Sequence, residues 1–214
     1  MNIQLEPIDY LQKEVAELRR QPAGAAQANA SILAGLVNNL ATSLSAVGRR
    51  AEALAPAQEA VELYRALARQ DPDAFQPDLA MSLNNLANRL SEVGHRTEAL
   101  TPAQEAVELY RALARQNPDA FQPELATSLG MMGKTLERNE RREEALACFA
   151  EGVRVLTPHF RVLPAAHGPL IASLARDYVR LAQALNQPPD EALLAPVNEV
   201  FARPQTEQPP SSGE

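Results

Sequence analysis

The sequence predicts an all-α protein: a right-handed solenoid of stacked helix–turn–helix units with a helical cap at each end. Three observations carry this. Residues 52–80 recur at 98–126, an offset of 46, and over those 29 positions only Ala55/Thr101, Asp71/Asn117 and Asp78/Glu124 differ. A fixed period of this size is the mark of a stacked repeat array. Within a period the apolar residues fall at steps of three and four, which is one helix face. Hydrophobic residues make up 45% of the chain, dominated by alanine and leucine, with few β-branched residues and no Trp. That composition favours helix over strand.

Each element can be read in order. Ile8, Leu11, Val15 and Leu18 line one face of an amphipathic helix, a cap over residues 1–22 that covers the open end of the array. The array spans 31–202, with about three full repeats and a degenerate C-terminal one. In the second unit Leu79, Leu83, Leu86, Leu90 and Val93 define a first helix, and Gly94 ends it because glycine tolerates positive φ. Ala99, Leu100, Ala103, Ala106, Val107, Tyr110, Leu113 and Ala114 then form the apolar side of a second, longer helix. The proline-containing stretch that follows, at 117–124 and equally at 71–78, reads as a loop. Phe75 and Phe121 in those stretches are expected to tuck against the junction between units. Pro56 and Pro102 fall four residues into the second helices. Either those helices kink there, or each begins at the proline, with Thr101 as cap in the second unit. Ile171, Leu174, Tyr178, Leu181 and Leu185 make a further first helix, and 186–203 a weak copy of the turn and second helix. Residues 203–214 are polar and proline-rich, the composition of a disordered tail. Terminal repeats are expected to diverge because one face meets water.

Charge and composition exclude several classes. A net charge of −7 argues against nonspecific nucleic-acid binding, which needs clustered Lys and Arg. One cysteine, Cys148, rules out an internal disulfide framework and fits a reducing compartment. The first residues show neither a basic lead nor an apolar run, and no stretch approaches the ~20 apolar residues of a membrane span. A cytoplasmic protein without membrane attachment is expected. His95, His159 and His167 lack a second ligand at metal spacing, so no metal and no cofactor are expected. Cys148 among alanines reads as a small hydrophobe. No phosphate loop, metalloprotease motif or nucleophile elbow is present, and carboxylates such as Glu137 fall at helix spacing from arginines such as Arg141. No catalytic residue is assigned and the chain reads as a non-enzyme.

The unit resembles the tetratricopeptide repeat. Small residues stand where that family packs its two helices closely: Ala41, Ala53 and Ala60; Ala87, Ala99 and Ala106; Gly133, Ala145 and Gly152. Leu83, Leu86 and Leu90 are the large neighbours, and Phe149 stands where the family often has an aromatic. The period departs from the family's usual value of about 34 residues. The longer unit is similar to the repeats of kinesin light chains and of bacterial regulatory arrays. The resemblance implies a concave groove lined by first helices, and a non-catalytic module that holds a peptide or a partner domain as an adaptor or scaffold. The alternative it implies is a regulatory, sensor or immunity-type subunit of an enzyme or effector on another chain.

On that frame Asn38, Asn39, Asn84, Asn85 and Asn88 lie on first helices, where an amide can both donate to and accept from a bound backbone. Inter-helix bonds within the array are the competing use. Gly130 and Met131 replace the pair in the third unit. Lys134 and Arg138, then Arg176 and Arg180, are one helical turn apart; facing the groove, they would draw a partner with an acidic segment. The first unit has Asn38 and Thr42 and no basic residue there, which argues against a clamp for a terminal carboxylate. Replacing Asn84 and Asn85 by Ala is expected to weaken binding and spare folding. Near-identical units allow a monomer or a swapped or end-to-end homodimer.

Overall fold

The computed structural model describes residues 6–21 and 29–202; the expected tail at 203–214 lies outside them. Among the described residues there are nine helices and no strand: α1 (Glu6–Arg19), α2 (Ala30–Ala46), α3 (Arg50–Gln70), α4 (Pro72–Glu92), α5 (Leu100–Gln116), α6 (Pro118–Arg138), α7 (Arg142–Val162), α8 (Pro164–Ala184) and α9 (Glu191–Ala202). Each helix from α2 to α8 packs on the next in sequence, α9 packs on α7 as well, and α1 packs on α2. This is an α-solenoid. Its first helices are α2, α4, α6 and α8, and its second helices are α3, α5, α7 and α9.

All four first helices end in the same way. Gly48 (φ +84°), Gly94 (φ +90°), Glu140 (φ +62°) and Asn186 (φ +55°) adopt left-handed backbone, one period apart. After each, an N–H reaches back five residues: Arg49 to the Leu44 carbonyl at 2.9 Å, His95 to Leu90 at 2.9 Å, Arg141 to Leu136 at 3.0 Å and Gln187 to Ala182 at 2.9 Å. This closure satisfies carbonyls that the helix end would otherwise strand. Glycine adopts it without cost. Glu140 does not, because its Cβ crowds the carbonyl at a cost of about 1–2 kcal/mol. Glu140→Gly is therefore expected to stabilise the chain by about 0.5–1 kcal/mol after the extra backbone entropy of glycine is subtracted. A thermal melt should rise by about 2 °C; a fall would mean that the Glu140 side chain contributes more than its backbone costs.

The other junctions correct the expected loops. α3 ends at Gln70 and α4 begins at Pro72, so one residue joins them; α5 to α6 and α7 to α8 repeat this. Pro72, Pro118 and Pro164 stand at the starts of their helices, where the missing N–H has no intrahelical role and the fixed φ suits the helix. The Asp71 Oδ1 accepts from the Ala74 N–H at 3.1 Å, and the Asn117 Oδ1 from the Ala120 N–H at 3.3 Å. What looks like a proline-rich loop is a cap and the first turns of a 21-residue helix. Pro77, Pro123 and Pro169 lie inside those helices, where each removes one backbone bond. In the second and third units the first helices are thus at least as long as the second ones. α3 runs through Pro56, and α5 starts at Leu100, two residues before Pro102; Ala99 is its N-cap, so Thr101 does not cap it.

The core follows the contacts between units as a series of clusters. Ala41, Ala53, Ala57, Ala60, Ala87, Ala99, Ala103 and Ala106 are all fully buried, which lets the helix pairs approach closely. Ile8 of α1 joins Leu40, Leu44 and Ala53, and Val15 joins Val37 and Ala60, so α1 lies over the first unit. Phe75 and Phe121 are half-buried, each packed on the cluster between its unit and the preceding second helix.

Candidate functional site: the face of the first helices

The solenoid has two unlike faces. The first helices meet one another directly, α2 with α4, α4 with α6 and α6 with α8. On the other face the second helices of the first three units are bridged by long side chains. Arg65 donates to both carboxylate oxygens of Glu105 at 2.9 and 2.7 Å, and Arg111 to Glu151 at 2.8–3.1 Å. Arg19 of α1 holds Glu59 in the same way. These pairs recur one period apart, which makes α1 equivalent to a second helix. Partly exposed pairs of this kind contribute about 0.2–1 kcal/mol each. Over the first three units the backbones approach more closely on the first-helix side, which makes that side concave there; at the fourth unit α7 and α9 also meet directly. The ladder was legible in the sequence, since Arg19, Arg65 and Arg111 are in phase, as are Glu59, Glu105 and Glu151; the spacing of 40 between partners hid it from a search for helix-type pairs.

On the concave face the asparagines separate into two roles. Asn38 and Asn84 are buried between first helices, 4% and 6% exposed. The Asn85 amide donates to the Asn38 Oδ1 at 3.0 Å, and the Ser128 hydroxyl donates to the Asn84 Oδ1 at 3.1 Å. These are ties between neighbouring units. The series stops at Gly130 because Leu174 of α8 fills the space; a Cβ there would lie 2.9 Å from the leucine Cδ2. Asn39 is exposed, and Asn85 and Asn88 are half-buried. Positions 39, 85 and 131, and 42, 88, 134 and 180, are equivalent across the units and form one solvent-facing stripe.

The basic residues are partly neutralised. The Arg180 guanidinium donates to both oxygens of Glu137 at 2.6 and 2.8 Å and to Asp177 at 3.3 Å, and the Lys134 ammonium lies 3.9 Å from Asp177. The bonds from Arg180 hold the Glu137 carboxyl below the usual carboxylate range. Glu137 is therefore paired across units, and Arg141 pairs with Glu144 instead of the Glu137 expected from helix spacing. Among the described residues, Arg138 and Arg176 form no ion pair. Sequence reasoning missed Arg89. It is 7% exposed, its guanidinium lies 3.3 Å from Glu92, and its Nε makes no hydrogen bond. Glu92 also accepts from the Ser45 hydroxyl of α2 at 2.5 Å.

Other chemistry-bearing groups lie apart. Burial pushes the Cys148 thiol up to about 11, so it is protonated at neutral pH and a poor nucleophile. His95 sits 3.0 Å from Glu98 in the turn of the second unit. Among the described residues no cluster of three or more His, Cys, Asp or Glu has metal-site geometry. No described helix is long and apolar enough to cross a membrane.

The sequence profile of the tetratricopeptide repeat family matches residues 33–73 and 79–119, each covering one pair of successive helices. Residues 33–119 thus carry two tetratricopeptide repeats, in a chain with the fold of a tetratricopeptide solenoid. Solved structures with the same fold include BtubC (BKLC) from P. vanneervenii, 17% identical with a TM-score of 0.66, covering 98% of this chain and 78% of that one. They also include a putative kinesin light chain from Podosopora anserina with nearly identical TPR-like repeats, 18% identical with a TM-score of 0.67, covering 95% and 90%. A point variant of the latter aligns at 16% identity and a TM-score of 0.65, covering 93% and 85%. At these identities the likeness concerns the fold. No curated protein sequence matches this tetratricopeptide array. The family profile reaches two units, while the left-handed turns mark four.

Proposed function

We propose that the concave face of the first helices holds a segment or domain of another protein, and that the chain works as an adaptor or scaffold without catalysis of its own. The observation that carries this is the stripe of Asn39, Asn85, Asn88, Lys134 and Arg138. These residues share one face through three units and reach solvent, while both neighbours of Asn39, Asn88 and Lys134 on the same helices are buried. Amides along the N-terminal part suit a peptide backbone, and the cations toward α8 suit an acidic stretch of the partner. Four cations, Lys134, Arg138, Arg176 and Arg180, stand there against Glu137 and Asp177, which supports a net attraction for acid.

Site-specific photocrosslinking in the native cell tests the reading. A photoreactive residue at Asn88 is expected to yield a discrete adduct, and one at Glu62 on the outer face none. Adducts at Glu62 alone would move the binding surface to the convex side. With the adduct partner in hand, reversing Lys134 and Arg138 to Glu should slow association about tenfold at low salt and less at high salt, because steering by exposed charge is screened. Equal rates at both salt concentrations would remove the acidic-partner reading.

A further inference from the structure

The near-identity of the units makes each one a control for the next, and one corner breaks the pattern in both directions. Inside the first two junctions, Leu67 with Phe75 and Leu113 with Phe121 pack on the core clusters. At the third junction the equivalent positions are His159 and His167, whose rings meet edge-on at 5.9 Å, with the His159 Nε2 2.9 Å from the Gln122 Oε1. On the surface the exchange is opposite. Gln70–Asp71 and Gln116–Asn117 are polar and cap the next helix, whereas Val162 and Leu163 are apolar, 77% and 58% exposed, and Leu163 provides no side-chain cap. Pro158 also replaces Ala66 and Ala112, inside α7, where proline removes a helix bond. All of these substitutions line one open cleft of about 590 Å³ between the starts of α6 and α8 and the end of α7. Its charged lining residues are Asp119 and Glu124, and neither Lys nor Arg lines it.

We infer that this corner is a second docking surface, separate from the groove, for a partner segment that places a basic side chain next to an apolar one. Val162 and Leu163 supply contact area that gains by leaving water. Asp119 and Glu124 supply the complementary charge and disfavour an acidic segment. The chain has forgone the helix cap that its sister units keep, and has placed a proline near the end of α7 where they have alanine, to present this surface. The inference does not rest on the groove reading, since it uses helix ends and not the exposed stripe.

The test is NMR of the full chain with labelled methyl groups. Val162 and Leu163 report on the corner, and Met81, 40% exposed on the concave stripe, reports on the groove. Three short peptides in a glycine–serine frame are titrated: one alternating Arg and Leu, one alternating Glu and Leu, one alternating Arg and Ser. The Arg–Leu peptide is expected to move the Val162 and Leu163 methyls and leave Met81 in place. The double variant V162Q/L163N, which restores the pair found in the second unit, is expected to bind at least about tenfold more weakly. Its melting temperature should not fall, because Asn restores the cap. Equal shifts with the Glu–Leu peptide, no shift with any peptide at millimolar concentration, or unchanged binding by the double variant would each overturn the inference. Methyl shifts on dilution of the chain alone would also overturn it, by making a second copy the occupant.

Discussion

Phe149→Ala is expected to be the most damaging single truncation in the chain, lowering stability by about 3–5 kcal/mol. The ring is fully buried in the cluster that joins the third and fourth units, with Leu136, Ala145, Val153, Leu156 and Tyr178. It occupies the space a side chain at position 133 would take: a Cβ on Gly133 would lie 2.6 Å from the Phe149 Cε1 and 2.8 Å from its Cζ. The first two units solve the same contact differently, with Ala41 against Ala57 and Ala87 against Ala103, all fully buried. The third exchanges alanine plus alanine for glycine plus phenylalanine. Truncating the ring alone therefore leaves a cavity beside a glycine, and Gly133→Ala alone drives a methyl into the ring. The double variant Gly133→Ala/Phe149→Ala recreates the pair of the sister units and should recover part of the loss, because the added methyl fills part of the cavity. Urea unfolding followed by circular dichroism reads both variants. A double variant no more stable than Phe149→Ala would show that the two positions are not complementary.

The glycine–phenylalanine exchange shows what the sequence made legible. Periodicity aligned 133, 145 and 152 with the small residues of the neighbouring units, and the resemblance to the repeat family marked 149 as an aromatic position, where the neighbours have Ala57 and Ala103. The same phase placed the turn at Gly94. It could not reveal Glu140 and Asn186 as left-handed residues, since neither is glycine and only the backbone closure around them demands positive φ. The prolines misled for a different reason. A proline signals a break, and Pro72 and Pro118 do follow one, but the break is a single residue and the proline opens the next helix. Asp71 and Asn117 suit both a loop and a cap, and only hydrogen bonds to Ala74 and Ala120 distinguish these. Helix spacing points the acidic Glu137 to Arg141 on its own helix, because spacing is all a single sequence offers; its partner Arg180 lies in the next unit.

The asparagines carry the second large effect. Asn38→Ala combined with Asn84→Ala is expected to cost about 2–6 kcal/mol, at about 1–3 kcal/mol per lost buried partner. In the sequence, in-phase Asn residues suggested rungs that could be removed without harm to folding, since alanine is the better helix former. The structure changes that expectation, because the bonds join unlike positions in neighbouring units: Asn38 to Asn85 and Asn84 to Ser128. Ser128 is fully buried, and without the Asn84 oxygen its hydroxyl can turn only to a backbone carbonyl, as Ser82 does to Leu79 at 2.8 Å. That fallback sets the lower end of the range. The two ties share no partner, so their losses should add to a first approximation. Asn39→Ala with Asn88→Ala provides the contrast. Neither side chain makes a hydrogen bond among the described residues, and stability should stay within about 0.5 kcal/mol of the parent. The pair that destabilises should affect a groove ligand only through folding, whereas the pair that leaves folding intact should weaken the ligand directly. Denaturant midpoints for both double variants separate the roles. Equal midpoints would mean that the buried ties between α2, α4 and α6 do not hold the units together, and that alanine packing alone sets their spacing.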